Sequence, residues 1–211
     1  MDLKNIEYII WDFNGTLLDD VNQTIKTVNI MLEKRGLLKT NLEKYKKDMA
    51  IPLIKYYQNA GFDIENENYE EISKEFRAIY NELDASKLFD SVVWALKTAK
   101  ERKIKNVLIS SLNHDLLIQT VKELNIFEYF YEICGLPDGL AGSKIHLAKE
   151  FLERNKIDAK NVLVVGDMEH DFEMADYIGA KCVICENGHQ FISEKIKKKV
   201  TKINDLLDIF D

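Results

Sequence analysis

The sequence predicts an α/β protein in which a parallel sheet, covered by helices on both faces, is interrupted by an all-helical insertion. Three observations predict it. Short unalternated apolar runs such as Tyr8-Ile9-Ile10-Trp11 and Val162-Leu163-Val164-Val165 have the length and composition of strands buried on both faces. From Leu88 onward such runs alternate with stretches of helical period, the pattern of βα units. Between Leu18 and Leu88 the strand pattern stops and only helical spacing remains. The expected layout is a Rossmann-like core from residues 1–18 and 87–211, with an inserted helical cap over residues 19–86.

The first strand runs into Asp12-Phe13-Asn14-Gly15-Thr16, so Asp12 stands at a carboxyl end, where open α/β sheets place their chemistry. Gly15 permits a sharp turn or a close approach to a ligand, and Thr16 adds a hydroxyl. Asp20 or Asn22 caps a helix with Ile25, Val28, Met31 and Leu32 on one stripe, stopped by Gly36. A second helix starts at Asn41 or Leu42 and reaches Lys47. Pro52 confines residues 48–52 to a loop or a helix start. A third helix carries Leu53, Tyr56 and Tyr57 to Gly61, and a fourth runs from Tyr69 to Leu83.

The resumed pattern predicts helix Ser91 to Lys103, strand Asn106 to Ser111, helix His114 to Asn125 and a short strand near Tyr131 to Cys134. It continues with helix Lys144 to Arg154, strand Val162 to Gly166, helix Phe172 to Ile178 and strand Lys181 to Cys185. In the tail, the run Lys195 to Lys199 reads as a solvated helix face, followed by an edge strand, Val200 to Ile203, and a last helix, Asn204 to Phe210.

Composition narrows the function. The 29 basic and 36 acidic residues give a net charge of −7, so the global field repels nucleic acid and anionic membranes. An anionic substrate must then be held by local groups. No apolar run reaches spanning length and the first strand follows Met1 almost directly, which points to the cytoplasm. Cys182 and Cys185 form a C-x-x-C, but residues three apart on a strand face opposite ways and cannot share a zinc ion or easily bridge.

Asp167 follows the strand Val162 to Gly166, so it and Asp12 come from one sheet edge and can converge on a hard cation, for which magnesium is the natural candidate. Asp171 either caps the next helix or completes the ion's outer layer of contacts. Ser110-Ser111 closes another strand at that edge, where a hydroxyl and backbone N–H groups can hold a phosphate. Lys144, after Ala141-Gly142-Ser143, opens a helix, where the macrodipole disfavours a cation and an anionic partner offsets it.

In this order and at these positions, the four sites resemble the motif set of the haloacid dehalogenase superfamily in its phosphatase branch. The helical insertion is similar to the cap of its phosphoglycolate phosphatase and β-phosphoglucomutase-like members. The resemblance implies a magnesium-dependent phosphatase of a small phosphorylated metabolite, working through an aspartyl phosphate. Asp12 is then the nucleophile, and the Asn14 carbonyl joins Asp12, Asp167 and Asp171 around magnesium. Ser110, Ser111, Lys144 and Thr16 hold the phosphoryl oxygens, with Lys144 also offsetting charge during the reaction.

Two positions depart from the family. Its phosphatases usually carry a proton-exchanging Asp two residues after the nucleophile, and here Asn14 stands there. Asp19, Asp20, Glu169 and His170 are the neighbours available as substitutes. In the cap loop, Ala50 replaces a common Gly, with a methyl that narrows access. Asn14 leaves open a second reading, a phosphate-binding or regulatory protein with little turnover. Asp167 and Asp171 argue against a dehalogenase, Asn14 argues against a mutase, and a phosphonate hydrolase would need a cap lysine, for which Lys26, Lys34 and Lys39 are available.

Overall fold

In the computed structural model, residues 3–84, 86–137, 143–197 and 200–210 are described. The chain runs β1 (Tyr8–Trp11), β2 (Leu18–Asp19), α1 (Val21–Lys34), α2 (Leu42–Asp48), α3 (Leu53–Ala60), α4 (Tyr69–Glu82) and β3 (Lys87–Leu88). It continues with α5 (Val92–Glu101), β4 (Lys105–Asn113), α6 (His114–Glu123), β5 (Phe130–Leu136), α7 (Ile145–Asn155), β6 (Val162–Gly166), α8 (Glu169–Ile178), β7 (Lys181–Cys185), α9 (Glu194–Lys197) and β8 (Thr201–Ile203). Six strands form one parallel sheet in the order β5-β4-β1-β6-β7-β8.

Strand periodicity builds the two-sided core. Ile9, Trp11, Leu108, Leu163, Val165 and Cys185 turn to one face and pack with Leu96 of α5 and Leu117 and Val121 of α6. Tyr8, Ile10, Val107, Ile109, Val162 and Val164 turn to the other, against Phe151 of α7 and Met174 of α8. Each fully buried large apolar side chain contributes about 1.5–3 kcal/mol, so burial on both faces, more than strand propensity, holds β1 at the centre. The Trp11 indole stays satisfied there by donating to Asn106 Oδ1 at 2.9 Å. Cys185 packs on the first face and Cys182 on the second, both as free thiols, as expected of a strand.

Helices α1 to α4 surround a separate apolar cluster that includes Val28, Met31, Leu32, Tyr45, Tyr56, Tyr57 and Ile72. The chain leaves and re-enters the core through an antiparallel ribbon in which Leu18 pairs with Leu88 and Asp19 with Lys87. Two-residue strands carry no readable period, so the sequence does not foretell this ribbon.

Two further elements differ from expectation. Helix α8 starts at Glu169, ahead of Phe172, because Asp171 closes its first turn. The last predicted helix is a 3₁₀ turn over Leu206–Ile209. In the lysine run, Lys195 and Lys197 lie on the short α9, Lys197 pairs with Glu194, and residues 198–199 lie outside those described. Among the described residues no helix is long and apolar enough to cross a membrane.

Candidate active site

Strand order reverses at β1, with β4 on one side and β6 on the other, and ligand sites of open sheets form at such a point beyond the carboxyl ends. Trp11 is in register with Val165, and the Asp12 amide donates to the Val165 carbonyl at 2.8 Å. That register carries Asp12 and Asp167 off adjacent strands side by side. With Asp171 they form a buried trio in which one carboxylate oxygen of each lies within 4.8 Å of the others.

Lys144 stands just before α7, its side chain buried, with Nζ against Asp12 Oδ1 and 2.7 Å from Asp171 Oδ1. The other Asp171 oxygen accepts from the amides of Asp167 and Met168 at 3.1 and 3.0 Å. Asp171 thus holds both the turn that presents Asp167 and the ammonium that faces Asp12. Residues 141–142 of the Lys144 motif lie outside those described.

Thr16 donates to Asp167 Oδ1 at 3.2 Å and does not border the cavity, so it steadies a carboxylate where a phosphate contact was expected. Ser110 accepts from the Leu112 amide at 3.1 Å, and Ser110, Ser111 and Asn14 all border the cavity beside Asp12.

Three buried carboxylates against one ammonium leave the site short of positive charge. Burial raises the Asp12 carboxyl; Lys144 pulls it down and Asp171 and Asp167 push it up, leaving it well above the ordinary carboxylate range. Burial also raises Asp167, in spite of His189 nearby. Burial disfavours the Lys144 ammonium, but Asp12 and Asp171 override this and keep it charged. An oxygen-rich, electron-rich set of this kind fits a hard divalent cation.

A second network was not read from the sequence. Asp20 occupies the cap position of α1 but its side chain makes no capping bond. It accepts instead from the Gly15 amide at 3.0 Å and Asn14 Nδ2 at 2.8 Å, and lies 3.0 Å from His189 Nε2. Burial disfavours charge on both partners. The facing imidazolium nevertheless holds Asp20 below its usual range, and the facing carboxylate lifts His189 to about 9.

His189 Nδ1 lies 2.7 Å from the Tyr45 hydroxyl on α2, while the His189 amide donates to Asp167 Oδ2 at 2.6 Å. The same loop accepts from Lys46 Nζ at the Glu186 carbonyl, and its Gln190 donates to the Met49 carbonyl. Helix α2, the loop after β7 and the Asp167 carboxylate are therefore joined through His189. The backbone must pass close to Asp167 to do this: a side chain at Gly15, whose φ is +75°, or at Gly188 would overlap that carboxylate. The available signal was Gly188-His189 just beyond β7, at the same sheet edge as Asp12.

This network gives metal-free protein a pH dependence. His189 binds its proton more tightly when folded, so its contribution is complete below about 6.5 and is lost as pH rises through about 9. The depressed Asp20 contributes above its ordinary range and loses that contribution only as pH falls below it. Asp12, raised by burial to about 8, acts in the same direction; in chelator, the melting temperature is therefore expected to be higher at pH 6 than at pH 9.5, and His189→Gln should reduce that difference without abolishing it. A wild-type difference left undiminished by the substitution would place its origin elsewhere.

Of the proposed substitute proton carriers, Asp19 is exposed and Glu169 accepts from the Ser193 amide, whereas Asp20 and His170 border the cavity. His170 Nε2 accepts from the Lys144 amide at 3.4 Å and Nδ1 lies 3.3 Å from Glu173. The cap lysines Lys26, Lys34 and Lys39 are exposed and none borders the cavity, so none is placed to form a Schiff base. Ala50 does not border it either; its neighbours Met49 and Ile51 do.

The cavity measures about 280 Å³, with Asp12, Asp171, Lys144 and Ser110 at its sheet end and residues of α1 to α4 around the rest. The profile of the haloacid dehalogenase-like hydrolase family matches residues 9–185. The chain is 22% identical to a phosphoglycolate phosphatase of Rhodobacter capsulatus, over 86% of this chain and 85% of that protein. It is 24% identical to a 5′-nucleotidase of Pseudomonas aeruginosa, over 83% and 80%. In fold it is similar to a haloacid dehalogenase-like hydrolase of Streptococcus pneumoniae, with a TM-score of 0.82, 16% identity and 98% of each chain covered.

Proposed function

The chain belongs to the haloacid dehalogenase-like hydrolase family, and on that premise we propose that it is a magnesium-dependent phosphatase of a small phosphorylated metabolite, acting in the cytoplasm. The observation that carries the reading is the buried trio Asp12, Asp167 and Asp171 with Lys144, of which Asp12, Asp171 and Lys144 border a cavity roofed by helices at the sheet edge. The names of the relatives, a phosphoglycolate phosphatase and a 5′-nucleotidase among them, support the reaction class.

In this reading Asp12 attacks phosphorus, and the P–O bond to the alcohol breaks as an aspartyl phosphate forms, to be opened by water. Phosphoryl transfer needs positioning and charge neutralisation above all. Lys144 offsets charge beside Asp12, Ser110 and Ser111 receive phosphoryl oxygens, and Asp171 positions Lys144. Asp12, Asp167 and the Asn14 carbonyl would hold magnesium, which supplies a Lewis acid that lets an anionic carboxylate approach an anionic phosphate. Residues 19–86 act as the cap, excluding water from the reacting centre.

Asn14 favours a second reading, a phosphate-binding protein of negligible turnover. Phosphate release from a panel of phosphomonoesters, with magnesium and with chelator, separates the two. Magnesium titration by calorimetry is expected to show at least about tenfold weaker binding by Asp167→Asn than by wild type. Equal affinity removes Asp167 from the ion, and release of phosphate undiminished in chelator removes magnesium from the reaction.

A further inference from the structure

The cavity is two-ended. Asp12, Lys144 and Ser110 form its polar end, and the walls contributed by the cap are rich in aromatic rings, with aliphatic residues, Ser73, Arg77 and Asn81 between them. Tyr45, Tyr56 and Tyr57 are buried and form a contiguous array, with ring centroids 5.4 Å apart between the first two and 5.6 Å between the last two. Across α4, the half-buried Phe76 and Tyr80 stack at 5.5 Å with an interplanar angle of 27°. All five border the cavity. The Tyr56 hydroxyl, moreover, is buried without a hydrogen-bond partner among the described residues.

From this arrangement we propose that the site selects nucleoside 5′-monophosphates, with the phosphate at the sheet end and the base against the cap aromatics. The inference rests on the phosphatase reading and names its substrate class. Aromatic faces offer stacking to any flat unsaturated ring and little to a sugar or a short acid. A carboxylate against the rings loses hydration, which Arg77 of the cap lining would have to offset. A base, by contrast, has both the apolar face that fills the walls and the polar edge that an unpaired phenol completes. The size agrees: about 280 Å³ is at the lower limit of the roughly 300–1,000 Å³ of ligand pockets, enough for one small metabolite and too little for a polymer.

The discriminating comparison is adenosine and uridine 5′-monophosphate against ribose 5-phosphate and 2-phosphoglycolate, with magnesium-loaded full-length protein. A nucleotide and ribose 5-phosphate lose phosphate from the same kind of 5′ oxygen, so any deficit in leaving-group protonation cancels in their ratio. Stacking on cap aromatics is expected to raise kcat/KM for the nucleotides about ten- to a hundredfold over ribose 5-phosphate. Phe76→Ala should reduce that ratio severalfold, and Tyr56→Phe, which keeps the ring, should reduce it in a manner that depends on the base.

Ribose 5-phosphate or 2-phosphoglycolate used as well as the nucleotides overturns the inference while leaving a phosphatase in place, and directs attention to Arg77 in the lining. If no ester is hydrolysed, the phosphatase reading itself falls and calorimetry decides on the pocket. Adenosine 5′-monophosphate bound at least tenfold tighter than ribose 5-phosphate keeps it, and equal binding overturns it.

Discussion

Asp12→Asn is expected to reduce kcat by at least about a thousandfold on every phosphomonoester the wild type hydrolyses, the scale on which losing a nucleophile or its electrostatic support acts. The amide keeps the shape of the carboxylate but has no charge with which to attack phosphorus. The metal-free fold should not suffer in proportion. Burial and the facing Asp171 and Asp167 already disfavour the Asp12 anion, and Lys144 keeps its 2.7 Å contact with Asp171 after the change. Melting in chelator is therefore expected at or above the wild-type temperature, with a smaller increase when magnesium is added. Activity within tenfold of wild type would remove Asp12 as the nucleophile. A large drop in melting temperature would mean that the buried Asp12–Lys144 pair is net stabilising, contrary to the desolvation argument.

That opposition between stability and chemistry also explains what could be read in the sequence. Strands β1, β6 and β7 are legible because burial on both faces demands unbroken apolar runs, and Asp12 and Asp167 are legible because they interrupt such runs at a carboxyl end. Lys144 was visible for a related reason: a cation at a helix start breaks a local rule, and two buried carboxylates supply the compensation.

The rest of the site is held by contacts that no local pattern encodes. His189 lies 169 residues from Asp20 and 144 from Tyr45, and its neighbourhood reads as a polar turn after a strand. Asp20 looks like an N-cap by position, yet a facing imidazolium competes more strongly for its oxygens than the first-turn amides do. Glu169 and His170 read as loop because neither is apolar, so the helix is expected to begin after Asp171; Asp171, legible as a cap, closes the first turn of α8 from inside it. The aromatic wall is legible only as helix residues: Tyr56 and Tyr57 pack in the cap core and border the cavity as well.

Asn14 carries the other large effect. Asn14→Asp is expected to raise the rate on alkyl phosphates about a hundred- to ten-thousandfold, the usual contribution of general acid-base catalysis, and to change the rate on p-nitrophenyl phosphate much less. An activated ester departs without a proton, whereas an alkyl oxygen does not. The groups around the cavity do not supply one readily. Asp20 is held ionised by His189, both nitrogens of His189 face partners, and His170 accepts at Nε2 from the Lys144 amide.

The substitution would also create its own activation. Asn14 Nδ2 now donates to Asp20 Oδ2 at 2.8 Å, so a carboxyl at position 14 would face a carboxylate at hydrogen-bond distance. Two such groups cannot both ionise easily, and the newcomer would keep its proton toward neutral pH, as a general acid requires. The same repulsion should reduce thermal stability modestly, while magnesium affinity changes little because position 14 is proposed to bind through its main-chain carbonyl. Rates on a series of phosphate esters of graded leaving-group pKa test this directly. Wild type should show a steep dependence that Asn14→Asp flattens. A shallow dependence already in wild type, with no gain from the substitution, would mean that the acid is present, with His170 and Asp20 the cavity groups to replace next.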